Sequence, residues 1–258
     1  MEYKPVQLNY EEFGQGVPLI LIHGFPLDHS IWQPVVAMLE SHTRIILPDL
    51  RGFGASPLGE EGSSMRLMAE DIAALMDGLK IERAILAGHS MGGYVCLNFA
   101  RVYPRRLLGL ALVATQAAED TLERRQARLA TSAEVKRKGV RIVAGSMPAK
   151  LSSQPDLQEP LKKLILKAPS KGVQAALKGM AERPDATDWL TEITVPTAVI
   201  VGKQDMLISP ERSRTMVQML NHAWLVEIAG ASHMPMMETP RELAEALLQL
   251  VKLAKPAG

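Results

Sequence analysis

The sequence predicts an α/β protein with a mostly parallel β-sheet flanked by helices. Short apolar runs bounded by glycine or proline recur along the chain, and segments with helical periodicity separate them. The runs are apolar at nearly every position, which is typical of strands buried on both faces of a parallel sheet. Alternating strands and helices also favour right-handed crossovers with helices on both faces of the sheet.

The first part of the chain contains four predicted strands with a helix between each pair. Val17 begins the first run, VPLILI, which ends at His23 and Gly24. The last of the three helices ends before Pro104, since a residue that precedes proline disfavours the helical conformation. The predicted strands cover residues 17–22, 44–47, 84–87 and 107–114, and the helices cover residues 30–40, 65–79 and 91–102.

The middle of the chain interrupts this alternation. Residues 116–188 contain helical pieces broken by proline and glycine, with no clear strand. Strands at 197–201 and 224–228 and helices at 210–220 and 240–253 then resume the pattern. Capping boxes at residues 30–33 and 239–242 predict two of the helix starts. We therefore expect a core made of residues 1–115 and 189–258, with residues 116–188 inserted as a helical cap.

Composition excludes several classes of function. The 258 residues include 29 Lys and Arg against 28 Asp and Glu, so net charge favours neither nucleic acid nor an anionic membrane as partner. Residues 121–180 are an exception, because 13 basic and four acidic side chains give this stretch a net charge of +9. The charge is either a solvated face or an attraction for anionic substrates.

Cysteine usage and the apolar runs indicate the expected compartment. Cys96 is the single cysteine, and no His or Cys spacing is typical of a metal site. The N-terminal segment lacks a signal-peptide pattern, and no apolar run is long enough to span a membrane. We expect a cytoplasmic protein without metal, cofactor, membrane or nucleic-acid partner. The sequence is silent on oligomeric state.

The stretch ILAGHSMGGYVC carries the clearest chemical signal. Gly88 to Gly92 fits the pattern G-x-S-x-G and lies between a predicted strand and a predicted helix. A serine at such a corner has strained backbone angles, and glycines two residues away allow the strand and helix to approach. A serine hydroxyl is a poor nucleophile by itself, so it needs a histidine base and a carboxylate that orients this base.

Both partners follow later predicted strands. Asp205 comes just after the strand at 197–201, and His233 just after the strand at 224–228. Parallel strands place such loops at one edge of the sheet. Glu119 and Asp120 follow another strand and are the alternative to Asp205.

Taken together, these motifs resemble the α/β-hydrolase family from about residue 17 to residue 253. The matching segments are HGF after the first parallel strand, DLRGFG after the second, GHSMGG, and the residues that follow the last two strands. The resemblance implies Ser90 as nucleophile, His233 as general base and acid, and Asp205 as orienting carboxylate. It implies an oxyanion hole from the backbone N–H groups of Phe25 and Met91. We also expect His89 and Met234 to contact substrate.

The resemblance implies a carboxylesterase that acts on small esters through an acyl-enzyme intermediate. The segments HGFPLDHSIW and DLRGFGAS are also similar to 3-oxoadipate enol-lactonases and to cofactor-free perhydrolases or haloperoxidases. Small-molecule esters and lactones are therefore both candidate substrates. A hydrolase-like receptor that keeps the triad but binds its ligand without turnover is the alternative outside enzymology.

Overall fold

Seven strands form one sheet in this protein. The structure, a computed structural model, describes residues 4–254. The strand order is β1-β3-β2-β4-β5-β6-β7, and β1 is antiparallel to β3 whereas the other strands are parallel. The strands are β1 Tyr10–Phe13, β2 Pro18–Ile22, β3 Arg44–Pro48, β4 Ala84–His89, β5 Leu107–Val113, β6 Thr197–Gly202 and β7 Ala223–Ile228.

The central strands are buried throughout, as the apolar runs predict. β4 lies between β2 and β5, and every residue of β4, β5 and β6 is buried. The predicted fold class is thus confirmed. β1 is not among the predicted strands because its residues, YEEF, alternate between exposed and half-buried positions at the sheet edge and form no apolar run.

Helices cover the sheet in two packed groups, α2 with α3 and α1 with α11. The helices outside the 116–188 segment are α1 Gln33–Leu39, α2 Met65–Gly78, α3 Met91–Val102, α9 Pro210–Met219, α10 Pro235–Glu238 and α11 Pro240–Leu253. Five of these helices lie where the sequence predicts a helix, although α1 begins three residues later than predicted, and the short α10 has no predicted counterpart. In the part of the chain that the structure describes, no helix has the length and apolar character needed to cross a bilayer.

The two predicted capping boxes are wrong in detail. Asp28, rather than Ser30, caps a short 3-10 helix at His29–Trp32, because its carboxylate accepts the Ser30 backbone N–H at 3.0 Å. Thr239 precedes α11 but makes no side-chain cap, since its hydroxyl donates to the carbonyl oxygen of Pro235 at 3.3 Å.

A helical segment separates β5 from β6. It contains α4 Leu122–Lys138, α5 Arg141–Ser146, α6 Pro148–Leu151, α7 Pro155–Lys167 and α8 Ser170–Ala181. The segment approaches the core through glycines of α8. A Cβ atom on Gly172 would lie 1.8 Å from the carbonyl oxygen of Gly52, and one on Gly179 would lie 1.9 Å from that of Ser63. That residues 116–188 form a separate cap domain stays a prediction.

Candidate active site

Ser90 occupies a strained corner between β4 and α3. Its backbone angles are φ 51° and ψ −109°, a conformation that side chains other than glycine rarely adopt. Hydrogen bonds hold the corner from both sides: the Ser90 N–H donates to Val113 at 2.9 Å, and its carbonyl oxygen accepts the Gly93 N–H at 3.0 Å. The side chain remains half-buried and available at the end of the sheet.

Glycine is required around this corner because backbone segments approach closely. A Cβ atom on Gly88 would lie 2.3 Å from the carbonyl oxygen of Gly92. A Cβ atom on Gly92 would lie 2.4 Å from the carbonyl oxygen of Ile22, which is the last residue of β2. These distances exclude any side chain at either position. The G-x-S-x-G pattern therefore has the mechanical basis that the sequence predicts.

His233 and Asp205 are hydrogen-bonded side chains in this structure. Nδ1 of His233 lies 2.8 Å from Oδ2 of Asp205, and both side chains are buried. A carboxylate only accepts hydrogen bonds, so Nδ1 carries the hydrogen and Nε2 is left as the acceptor. The other carboxylate oxygen accepts the backbone N–H groups of Leu207 and Ile208 at 2.8 and 2.9 Å. The backbone N–H groups on one oxygen of Asp205 therefore fix the carboxylate whose other oxygen faces the imidazole.

Gly202 allows the two loops to meet. It is the last residue of β6, and a Cβ atom there would lie 2.2 Å from the carbonyl oxygen of Ser232. The loop that carries Asp205 therefore packs directly on the loop that carries His233. Parallel neighbours β6 and β7 deliver both loops to the same edge of the sheet.

His89 connects the corner with the histidine loop. Its ring centroid lies 4.9 Å from that of His233, and its Nε2 donates to the carbonyl oxygen of His233 at 2.8 Å. His233 therefore lies beside the residue that precedes Ser90. Among residues 4–254, no hydrogen bond joins the Ser90 hydroxyl to the His233 ring, and this hydroxyl does not cap α3. Catalytic hydrogen bonds are often long before substrate binds and shorten in the substrate complex.

The two predicted oxyanion donors belong to the start of α3 and to the loop that follows β2. Met91 is the first residue of α3, so its N–H is among the donors that have no partner within the helix. Phe25 follows β2 by three residues, and the contact of Gly92 with Ile22 brings the end of β2 against the start of α3. The two N–H groups belong to adjoining backbone segments.

His89 and Met234 lie deeper than the sequence analysis expected. Both side chains have no exposed surface, and the ring of His89 is enclosed by Gly24 and His233. A Cβ atom on Gly24 would lie 2.5 Å from Nδ1 of His89. This placement does not favour direct substrate contact for either residue, because neither presents an atom to accessible space. His89 instead separates the Phe25 loop from the His233 loop.

The alternative acid has other partners. Asp120 is buried and pairs with Arg183 at 2.9 Å and with Arg128. These guanidinium groups lower the pKa of the Asp120 carboxyl against the opposing effect of burial. The structure therefore brings Asp205, and not Asp120, to the histidine.

Asp49 and His29 belong to a hydrogen-bonded loop rather than to a metal centre. The ligand atoms of Asp28, His29 and Asp49 lie within 4.8 Å of one another. Both oxygens of Asp49 already accept hydrogen bonds, one from His29 at 2.7 Å and the other from Asn9 at 2.9 Å. These partners account for the cluster without a metal ion.

Sequence reasoning missed two supports of the site. The hydroxyl of Thr115, just after β5, donates to the carbonyl oxygen of Ser90 at 2.7 Å. Glu238 accepts hydrogen bonds from the loop around His233. Neither residue belongs to a short motif, so only the position of Thr115 after a central strand and the nearness of Glu238 to His233 in sequence could have indicated them.

The buried side chains of His23 and His89 should make the protein less stable as the pH falls. Burial lowers the pKa of His23, whose Nε2 accepts the Leu50 N–H at 2.9 Å. Burial also lowers the pKa of His89 to well below 6.5, and the nearby His233 adds to this effect. The unfolded chain binds protons at both positions near pH 6.5, whereas the folded chain resists them. Their contribution to stability is therefore complete above pH 6.5 and is lost as the pH falls below it.

We expect His89→Gln to weaken this dependence. Between pH 7.5 and 5.0, the free energy of unfolding of the variant should fall by about 1–2 kcal/mol less than that of the parent protein, since one depressed histidine pKa is removed. Urea unfolding at both pH values measures the difference. His42→Gln, at an exposed position, is the matched control and should follow the parent. Equal pH dependence of parent and His89→Gln would contradict the expectation.

Comparisons with known proteins agree with the observed fold. The family model described as alpha/beta hydrolase fold matches residues 17–240. A thermophilic esterase from Thermogutta terrifontis, solved with malate bound, is 38% identical, with a TM-score of 0.93 over 96% of this chain and 93% of that chain.

Two curated relatives have different activities. The pimeloyl-[acyl-carrier protein] methyl ester esterase of Aeromonas hydrophila is 28% identical over 95% of this chain and 100% of its own length. The 3-oxoadipate enol-lactonase 2 of Acinetobacter baylyi is 28% identical over 96% of this chain and 94% of its own length. The sheet topology, the strained serine and the family match lead to one conclusion: this chain belongs to the alpha/beta hydrolase fold family.

Proposed function

We propose that this protein is a carboxylic ester hydrolase that works through an acyl-enzyme intermediate on Ser90. The observation that carries the proposal is the 2.8 Å hydrogen bond between His233 and Asp205, on a loop that packs beside the Ser90 corner. Nucleophile, base and orienting acid are the three groups that serine-type acyl transfer requires.

In the first half of the reaction, the Ser90 hydroxyl attacks the ester carbonyl carbon. Nε2 of His233 takes the hydroxyl proton, and the Asp205 carboxylate stabilises the imidazolium that forms. His233 then donates this proton to the alcohol oxygen as the carbon–oxygen bond breaks. The acyl group remains on Ser90, and the alcohol leaves.

In the second half, water replaces the alcohol. His233 takes a proton from water as the water oxygen attacks the acyl carbon. His233 then donates this proton to the Ser90 oxygen as the carbon–oxygen bond of the acyl-serine breaks, which releases the carboxylic acid and restores the serine hydroxyl. In both halves the N–H groups of Met91 and Phe25 stabilise the negative oxygen of the tetrahedral intermediate. A preorganised donor of this kind lowers the barrier by about 3 kcal/mol.

Lactone hydrolysis is the second candidate, and the similarity to the Acinetobacter baylyi enol-lactonase favours it. The same residues would perform the same steps, but the alcohol would stay attached to the acyl chain after ring opening. The arrangement of Ser90, His233 and Asp205 serves both substrates, so the choice depends on the surfaces that hold the acyl chain.

A substrate panel combined with covalent labelling tests the proposal. The panel contains p-nitrophenyl esters of increasing acyl length together with five- and six-membered lactones. We expect many turnovers for each protein molecule with at least one ester, and loss of this activity after treatment with a fluorophosphonate. Peptide mass spectrometry should locate the phosphonyl group on Ser90.

Two outcomes would overturn the proposal. Label on another residue, with activity abolished, would reassign the nucleophile. A single turnover or none across the panel, accompanied by ligand-induced shifts in melting temperature, would instead support the receptor interpretation.

A further inference from the structure

Hydrogen bonds fix the backbone N–H groups of His233 and of the residues on either side of it. Glu238, at the end of α10, accepts the Ser232 N–H at 2.7 Å and the Met234 N–H at 3.2 Å with its Oε2. The N–H of His233 itself donates to the carbonyl oxygen of Leu151 at 3.2 Å. One carboxylate thus binds the residues immediately before and after the histidine.

The other oxygen of Glu238 reaches the helical segment. Oε1 accepts the hydroxyl of Ser152 at 2.6 Å and also the hydroxyl of Ser232. Ser152 directly follows α6 and is completely buried. The Ser153 N–H in turn donates to the Ser232 hydroxyl oxygen at 3.1 Å. Glu238 therefore joins the histidine loop to the chain that leaves α6.

The hydrogen bonds of Glu238 favour a group that accepts at both ends. Four donors converge on its two oxygens, and only a carboxylate accepts at both ends. A glutamine of the same shape would place its NH₂ group against the two backbone N–H groups, which would leave them unpaired, or against the two hydroxyls, which would have to turn in order to accept. The loop would then relax where the imidazole must keep its position relative to Ser90.

We propose that Glu238 is a positioning residue for catalysis, which fixes the His233 loop to the segment after α6 through Ser152. The inference rests on the proposed role of His233 as general base. Among the described residues, Glu238 makes no hydrogen bond to the imidazole of His233 or to the hydroxyl of Ser90, so it acts through the backbone of the loop. A shift of about 1 Å in a catalytic group can cost about 100-fold in rate.

The first test separates kcat from KM. Glu238→Gln should lower kcat by about 10-fold to 100-fold and change KM by less than about twofold, because the base is displaced while the substrate surface is kept. Glu242→Gln is the matched control: it removes an exposed carboxylate in the first turn of α11 and should keep the parent kcat. A kcat for Glu238→Gln within twofold of the parent would overturn the proposal.

A second pair of variants isolates the contact with the helical segment. Ser152→Ala removes the hydrogen bond to Glu238 and also the acceptor of the Gln154 N–H at the start of α7. Because only the first bond reaches the histidine loop, kcat should fall about fivefold, the effect of one ordinary hydrogen bond. Ser153→Ala keeps the backbone N–H and removes only a long, exposed bond to Gln204, so its kcat should match the parent. This pair remains informative if Glu238→Gln folds poorly. Equal kcat values for the two serine variants would refute the link to α6.

Amide hydrogen exchange supplies a readout that does not depend on activity. In Glu238→Gln, the amides of Ser232 and Met234 should exchange faster than in the parent, whereas Glu242→Gln should leave them unchanged. Unchanged exchange rates of these amides in Glu238→Gln would refute the proposal that Glu238 holds the His233 loop, even if kcat were lower. A parent protein without turnover on the ester panel would instead refute the proposed function, and the exchange experiment would still decide whether Glu238 holds the loop.

Discussion

Replacing Ser90 with alanine is expected to lower kcat/KM for the best ester by about 10⁴-fold to 10⁶-fold, the loss seen when a triad nucleophile is removed. The hydroxyl of Thr115 also lies at this corner, but it donates to the carbonyl oxygen of Ser90 at 2.7 Å. The residual rate would come from water that reacts while the ester is held against the oxyanion donors.

This variant should fold normally. The hydrogen bonds that hold the corner use the backbone of Ser90, and alanine keeps them together with the backbone angles. We expect a melting temperature within about 2 °C of the parent. Ser146→Ala, whose hydroxyl bonds only the carbonyl oxygen of Ile142 at 3.3 Å, is the control and should keep full activity. More than a tenth of the parent activity in Ser90→Ala would contradict the assignment of the nucleophile.

Replacing Asp71 with asparagine should cause the largest loss of stability, about 3–5 kcal/mol, because it leaves a buried guanidinium without its counter-charge. Arg51 and Asp71 form two parallel hydrogen bonds of 2.5 and 2.7 Å, and both side chains are almost completely buried. Asp71 also accepts the Val6 N–H at 2.8 Å, so the pair ties the DLRGFG loop and the segment before β1 to α2. Guanidinium chloride unfolding at pH 7.5 measures the loss.

A control and a double variant separate pairing from burial. Glu134→Gln breaks two surface ion pairs on α4, with Arg137 and Lys138, and should change stability by less than about 0.5 kcal/mol. Burial raises the pKa of the Asp71 carboxyl, which reflects the cost of keeping this charge away from water. Arg51→Met with Asp71→Leu should therefore recover at least half of the loss. A loss below about 1 kcal/mol in Asp71→Asn would show that Arg51 finds another partner or water.

The positions of the central strands can be predicted from the sequence because each strand is buried on both faces. The run LLGLALV admits no polar residue at any position of β5, and such a run can be identified without knowledge of its neighbours. β1 could not be predicted in this way because backbone hydrogen bonds with β3 stabilise this edge strand. Such pairing does not require any particular side-chain pattern in the sequence.

The candidate triad was also accessible from the sequence, since Ser90, Asp205 and His233 each follow a recognisable strand. The choice between Asp205 and Asp120 was not accessible in the same way. It depends on two arginines that pair with the Asp120 carboxylate. Arg183 is distant from Asp120 in sequence, and Arg128 lies on α4. His89 was expected at the substrate, but folding encloses it between Gly24 and His233.

By itself, the sequence determined the class of fold, the corner that bears Ser90 and the order of the three candidate catalytic side chains, because apolar periodicity and glycine spacing are local properties of the chain. The tertiary structure alone decided which acid meets His233 and what steadies its loop. Those contacts join residues as distant as Ser152 and Glu238, and their formation depends on close packing of separate loops rather than on any local pattern.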